Sequence, residues 1–178
     1  HSRCTGDDLR LLMSRRFHRQ KRIPETLFLL NRARQAGVSF KLVLVGEGPD
    51  EGRIRKTITD LSLERCVTLM GWAERKKLVS IYQSVDCFLS LSLHEGMPNS
   101  VLEAMACELP VMLSDIPSHR ELVKDKITGF LVNPEDASSL IEGLKLIDMN
   151  PVQATEMGKK ARELAAQEFS WSATASGY

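Results

Sequence analysis

No stretch of this chain approaches the roughly 20 continuous apolar residues of a membrane-spanning helix, so no membrane span is expected. A leader with a charged start, an apolar middle and a small-residue cleavage site is equally missing. Cysteine is scarce and scattered. Cys4, Cys66, Cys87 and Cys107 form no CxxC pair, which speaks against a zinc site, and two of them sit in apolar runs, where reduced core thiols belong. That usage suggests a reducing, cytoplasmic setting. Neither sign of charge prevails, with 24 Lys plus Arg against 23 Asp plus Glu and a net charge of +1. The overall balance therefore points to neither nucleic acid nor an anionic membrane as partner, and any basic site must be local. Internal repeats, low-complexity tracts and Pro/Ser-rich linkers are absent too, so one domain is expected.

What remains is a chain of 178 residues, 43% apolar, long enough for one substantial core or for half of a two-domain enzyme. Its abrupt start at His1-Ser2 favours treating it as part of something larger. Short apolar runs alternate with amphipathic stretches, the pattern of successive β-α units on a parallel sheet. Strands are predicted over Leu9–Met13, Lys41–Val45, Cys66–Met70, Cys87–Leu91, Val111–Leu113 and Phe130–Val132. Helices are predicted over Pro24–Gln35, Asp50–Leu61, Lys76–Ser84, Asn99–Cys107, Ser118–Val123, Ala137–Ile147 and Val152–Glu168. The fold class is therefore α/β: a Rossmann-like, doubly wound parallel sheet of about six strands with helices on both faces. In such sheets ligands bind beyond the carboxyl ends of the strands, which directs attention to the loops that follow them.

Three of those loops can carry chemistry. LVLVGEGPDEG, Leu42 to Gly52, runs from a strand through Gly46, Gly48 and Gly52 into a helix, but its third glycine comes one place late for GxGxxG. Glu47, Asp50 and Glu51 would also oppose a pyrophosphate, and no acid follows the next strand to hold a ribose, so a tight turn with Pro49 starting the helix is the better reading. LLMSRRFHRQKR gathers Arg16, His18, Arg19, Lys21 and Arg22 just after a strand. A charge run is commonly a solvated face, yet this position suits cations that hold a diphosphate.

The third loop is HEGMPNSVLEAMA, where a strand ends near His94, Glu95 and Gly96 turn the chain, and Pro98 presets the backbone for a helix. Free amides near Met97, Asn99 and Ser100, with the positive end of the helix dipole, make an anion site. Glu103 lies one turn into that helix beside Leu102, Met105 and Ala106, which are expected to face the sheet. A carboxylate there can accept two hydrogen bonds from the vicinal hydroxyls of a ribose. Dipole compensation and solvation explain Glu103 equally well in isolation, and Glu95 by itself is an ordinary turn acid.

Taken together these segments resemble the C-terminal, donor-binding domain of retaining GT-B glycosyltransferases, in particular the large family 4, or group 1, enzymes. Glu95 and Glu103 match the E-x7-E motif of that family, and the likeness continues through LPVMLSD, SHRELV and TGFLVNPED as well as RFHRQKR and LVLVGEGPD, nearly the whole chain. The resemblance implies a nucleoside-diphosphate sugar at the carboxyl edge of the sheet. Glu103 would hold the ribose, Glu95 would contact the sugar, and the Gly96, Met97, Pro98, Asn99 and Ser100 backbone with Arg16 and Lys21 would hold the diphosphate. The base would lie near Gly46 and Gly71. On the same grounds a uridine diphosphate sugar is the expected donor, with guanosine diphosphate open, and no metal or other cofactor is expected. The acceptor, a glycan or a lipid-linked glycan, would belong to a separate N-terminal domain, through which the enzyme would sit peripherally at a membrane. FSWSATASGY resembles the start of a helix returning to that domain. Two other reaction classes stay open: a nucleotide-sugar epimerase or phosphorylase of the same architecture, and a non-catalytic nucleotide-binding module.

Departures from the family pattern carry their own expectations. Arg15 stands where the family usually has glycine, so it would crowd or supplement the phosphate site. Glu108 stands near a helix end where glycine is frequent; a left-handed cap would strain it, so a different cap is expected. Trp72 is expected to pack within its loop rather than flank the base, and Arg120 with Glu121 reads as a surface ion pair.

Overall fold

The computed structural model describes residues 8–96 and 98–169. Cys4, Met97 and all of FSWSATASGY after Phe169 lie outside the described residues, and with them the expectations made there.

Strands β1 Leu9–Ser14, β2 Phe40–Val45, β3 Val67–Gly71, β4 Cys87–Ser90, β5 Val111–Ser114 and β6 Phe130–Val132 form one sheet in the order β3-β2-β1-β4-β5-β6. Every pairing is parallel, as the helical crossovers require. Helices α1 Ile23–Gln35, α2 Glu51–Asp60, α3 Arg75–Tyr82, α4 Asn99–Ala106, α5 Pro117–Leu122, α6 Ala137–Met149 and α7 Pro151–Glu168 cover the two faces. The period of two along β1 decides which side chain goes where. Leu9, Leu11 and Met13 join one core layer with Leu27 and Leu30 of α1, Ile54 of α2 and Leu140 and Leu144 of α6, while Leu12 joins the opposite layer. That second layer holds Ile81 and Tyr82 of α3, Val101, Ala104 and Met105 of α4, and Leu122 of α5. Each fully buried leucine here is worth about 1.5–3 kcal/mol. Helix α7 joins both layers, contributing Ala154 and Met157 to the first and Ala161 and Leu164 to the second.

Strand order reverses between β1 and β4, because the chain winds outward through β2 and β3 before returning to start β4 on the other side of β1. Loops after these two strands diverge in opposite directions and leave a crevice at the carboxyl edge. The β1 loop is stitched to its neighbours by backbone bonds: Arg15 N–H to Val45 O at 2.9 Å, Phe17 N–H to Glu47 O at 2.9 Å and Leu93 N–H to Gln20 O at 3.1 Å. This stitching explains Gly46 and Gly48. A Cβ on Gly46, whose φ is +133°, would come 1.9 Å from the Arg15 carbonyl oxygen, and one on Gly48 would come 2.3 Å from that of Phe17. The glycine-rich loop thus serves close backbone approach as well as turning.

Several local expectations need correction. Helix α2 begins at Glu51 after Asp50, not at Pro49, because Asp50 N–H is drawn to Phe17 O at 3.2 Å and the turn closes two residues later. In α4 the buried side chains are Val101, Ala104 and Met105; Leu102 is half-buried and Ala106 is exposed, since the helix meets both the sheet and α7 and its apolar face is rotated accordingly. Glu108 does adopt the left-handed conformation, with φ +59°. Its N–H reaches Met105 O at 3.0 Å and Leu109 N–H reaches Ala104 O at 3.1 Å, a Schellman cap. The cost of that φ for a residue with a Cβ, about 1–2 kcal/mol, is offset by tertiary contacts. Gly158 of α7 lies against the Glu108 carbonyl, and Arg162 reaches Glu108 Oε1 at 2.9 Å. Arg120 pairs not with Glu121 but with Asp115, through Nε to Oδ1 at 2.5 Å and Nη2 to Oδ2 at 3.0 Å. Asp115 sits at the end of β5, where the fork of an arginine five residues later can reach both oxygens, whereas adjacent residues on a helix point apart. Trp72 is 70% exposed, because it follows Gly71 (φ +71°) off the end of β3, the edge strand, with no neighbouring strand to cover it.

Candidate functional site

The crevice between β1 and β4 brings together side chains that lie about 80 residues apart in sequence. Strand β4 delivers Ser90, and the residues after it deliver Ser92 and Glu95. From the β1 side come Arg15, directly after the strand, and Lys21, at the end of a 3₁₀ turn spanning Arg19–Lys21. Lys21 Nζ reaches Glu95 Oε2 at 2.7 Å, and Arg15 Nη2 reaches Glu95 Oε1 at 3.3 Å. Ser92 Oγ donates to the same Oε1 at 2.6 Å. The Glu95 side chain is 8% exposed, so this carboxylate has few solvent contacts of its own.

Burial works to raise the Glu95 carboxyl, but hydrogen bonds from Lys21 and Ser92, with the charges of Arg15 and Lys21, outweigh it and hold the group below the usual carboxylate range. Arg15 shows the opposite balance. Burial pulls its guanidinium down to about 10, opposed by the negative charge of Glu95, and it remains a cation at neutral pH. The arrangement is thus a carboxylate flanked by a fixed cation and an exchangeable one.

Beyond Glu95 the chain turns through Gly96 to Pro98, the residue that caps α4. Among the described residues no side chain caps this helix; Pro98 O accepts from Val101 N–H at 2.9 Å and Leu102 N–H at 3.3 Å. Asn99 and Ser100 occupy its first turn, where helix amides point outward with the positive end of the dipole. Glu103 follows one turn later on an exposed position and accepts a hydrogen bond from Tyr82 Oη at 3.0 Å. Tyr82 itself is buried against Phe88, with ring centroids 5.8 Å apart. Burial, and the nearby Glu103 carboxylate, push its phenol well above the ordinary range, so it acts here as a hydrogen-bond donor.

Gly46 and Gly71 meet at the other end of the crevice, where Gly46 N–H donates to Gly71 O at 2.8 Å, and Trp72 projects into solvent beside them. Arg16 is exposed and has no ion-pair partner among the described residues. Lys21 and Glu95 are therefore in direct contact, Gly96, Pro98, Asn99 and Ser100 form the start of α4, Glu103 sits one turn inside, and Arg16 stands apart from the buried ion cluster.

Two residues exceed what motif reading assigned. Arg15 is the more buried of the paired arginines, and its place at the end of an apolar strand, rather than its charge, was the available signal. His119, buried on α5, donates through Nδ1–H to Ser114 O at 2.9 Å, with Ser114 Oγ 3.1 Å from the same nitrogen. Ser114 Oγ in turn donates to Ser92 O at 2.6 Å, so the β5 end supports the same loop that carries Glu95. Nothing in the spacing of His119 announces this.

Comparison with known proteins agrees with the architecture. The amylovoran biosynthesis glycosyltransferase AmsK of Erwinia amylovora is 28% identical over 90% of this chain and 41% of its own length. The Escherichia coli UDP-Gal:alpha-D-GlcNAc-diphosphoundecaprenol alpha-1,3-galactosyltransferase is 36% identical over 57% of this chain and 26% of its own length. Among solved structures, sucrose-phosphate synthase from Thermosynechococcus elongatus superposes with a TM-score of 0.86 at 28% identity, covering 96% of this chain and 44% of that one. The chain thus spans less than half the length of these proteins. Residues 3–164 match the family model described as glycosyl transferases group 1, and together with the six-stranded parallel sheet this shows that the chain belongs to that family.

Proposed function

We propose that this chain binds the nucleoside-diphosphate sugar donor of a retaining glycosyl transfer. The observation that carries the reading is the meeting of Lys21 and Glu95 at the switch point of the sheet, directly before the uncapped start of α4. An ammonium on a flexible stem and a helix N-terminus are both suited to a diphosphate, and both strengthen as charge develops on it while the bond to the sugar breaks. Glu95 then faces the sugar, Glu103 takes the ribose hydroxyls while Tyr82 holds its other side, and Arg16 supplies a second cation from the exposed rim. The base lies toward Gly46 and Gly71.

Uridine diphosphate is the favoured carrier, supported by the UDP-galactose named for the Escherichia coli relative. The cations and helix amides take the role a metal would otherwise fill, so binding proceeds without one. The acceptor, a glycan or a lipid-linked glycan, sits on a separate N-terminal domain that also brings the protein to the membrane surface from the cytoplasmic side. Domain and chain divide the work: this chain binds the donor and by itself transfers no sugar.

Isothermal titration of the chain with UDP, GDP and NAD tests the reading. Saturable binding of one nucleoside diphosphate, weakened by both Glu103→Ala and Arg16→Ala, is the expected result. Binding of NAD alone would move the site to the Gly46 loop and overturn it.

A further inference from the structure

If Lys21 serves the diphosphate, its ammonium is drawn away from Glu95 or shared with it, and its charge no longer belongs to Glu95 alone. Its side chain is 24% exposed and meets Glu95 by a single contact of 2.7 Å, so its ammonium is free to turn. Arg15 has no such freedom. Its side chain is 3% exposed, and its guanidinium is engaged by acceptors from both sides of the crevice. Nη2 donates to Ser90 Oγ at 2.5 Å and to Glu95 Oε1 at 3.3 Å; Nη1 donates to Ser92 Oγ at 2.8 Å and to Lys21 O at 3.3 Å. The planar fork satisfies acceptors that a lysine could reach only in part.

We infer that Arg15 is the standing counter-ion of Glu95, a positioning residue that keeps this carboxylate ionised and aimed at the sugar while Lys21 is lent to the diphosphate. The inference rests on the donor-site reading above for its consequence, but the ion pair itself is independent of it. A carboxylate that is 8% exposed and loses its last cation takes up a proton rather than stay charged, and a protonated Glu95 would present a hydroxyl donor where an acceptor is required. Other titratable groups facing this cluster do not replace Arg15. His119 of α5 is held towards its neutral form by burial. Tyr82 of α3, which lies close enough to sense Arg15, is kept protonated, and Glu103 of α4 is engaged with Tyr82 and carries the same charge as Glu95. Arg15 thus turns an apparent intrusion into the phosphate site into a support for the residue that follows β4.

The test follows Glu95 directly, by carbon NMR of the glutamate carboxyls through a pH titration of the nucleotide-free chain, with the Glu95 signal identified by its loss in Glu95→Gln. Lys21→Ala leaves Arg15 in place, and Glu95 is expected to titrate still below the ordinary glutamate value of about 4.3. Arg15→Gly is expected to move the midpoint upward by about one unit or more, with Arg15→Lys between the two. A Glu95 midpoint that reaches the ordinary value in Lys21→Ala, or one unmoved in folded Arg15→Gly, overturns the inference. If Arg15→Gly does not fold, the Lys21→Ala and Arg15→Lys titrations still decide. Because no nucleotide is present, failure of the chain to bind UDP leaves this result readable, and normal UDP binding with an unmoved Glu95 removes the role of Arg15 alone.

Discussion

Tyr82 donates its hydroxyl to Glu103 Oε2 at 3.0 Å from a position that is itself 1% exposed. The second glutamate of the E-x7-E pair is therefore held from beneath by α3, one of its oxygens already satisfied and the carboxylate kept in one orientation. Tyr82→Phe removes that bond and little volume. A loss of about 1–2 kcal/mol in UDP affinity is expected, about five- to thirtyfold, and a larger loss for Glu103→Ala. Calorimetric titration of both variants checks the order; equal affinity of Tyr82→Phe and wild type would remove Tyr82 from the site.

Arg16 and Arg15 are neighbours with opposite fates, one exposed and one buried. Arg16→Ala is expected to leave stability within about 0.5 kcal/mol while weakening UDP about tenfold, an effect that shrinks as salt is added. Urea unfolding and titrations at two salt concentrations separate these quantities. A destabilised Arg16→Ala would contradict its exposed placement.

Gly46→Ala puts a methyl group 1.9 Å from the Arg15 carbonyl oxygen at a backbone angle that L residues rarely adopt. The loops after β1 and β2 must part to admit it, so a loss of about 2 kcal/mol or more is expected in urea unfolding. Gly52→Ala, with nothing within 4 Å of the added group, is the control and should be neutral or slightly stabilising.

His119 is kept below its ordinary range by burial, partly opposed by its bond to the Ser114 carbonyl, and its Nε2 is buried with no partner among the described residues. With the folded value depressed, the unfolded chain takes up a proton first as pH falls through about 6.5. Stability is therefore full above that value and declines below it, until the folded value is reached. Thermal melts between pH 7.5 and 5 should show this limb, and His119→Asn, whose amide can still donate to Ser114, should flatten it whatever its absolute stability. An unchanged slope would refute the assignment.

Metal removal offers a further check. UDP binding is expected to be unchanged in EDTA, because Lys21, Arg16 and the amides of α4 are the groups assigned to the diphosphate. Loss of binding that magnesium restores would require a cation at the site.

The strands and helices were legible because each has one dominant local cause. The short apolar run in LRLLMS, the Pro-Asn-Ser entry to α4 and the amphipathic runs of α1 and α6 are decided within a few residues, and the predicted bounds differ from the observed ones mainly at the ends. Lys21 and Glu95, which follow strands, and Glu103, one turn into α4, could be singled out as candidates from the sequence, since their types and places are local facts. What escaped was decided by distant neighbours. Glu108 accepts a left-handed angle because α7 lies against its carbonyl, Arg120 chooses Asp115 because β5 ends there, and Trp72 is bare because β3 is an edge.

Arg15 shows the division most clearly. By itself the sequence determined a doubly wound sheet with cations after its first strand and a glutamate pair around α4, since periodicity and turn chemistry act over short range. Only the tertiary structure decided which cation is buried against Glu95 and which remains at the rim. The reason is physical: desolvation and the geometry of four acceptors from β1 and β4 loops exist only once the strands that lie side by side, but far apart in sequence, have been brought together.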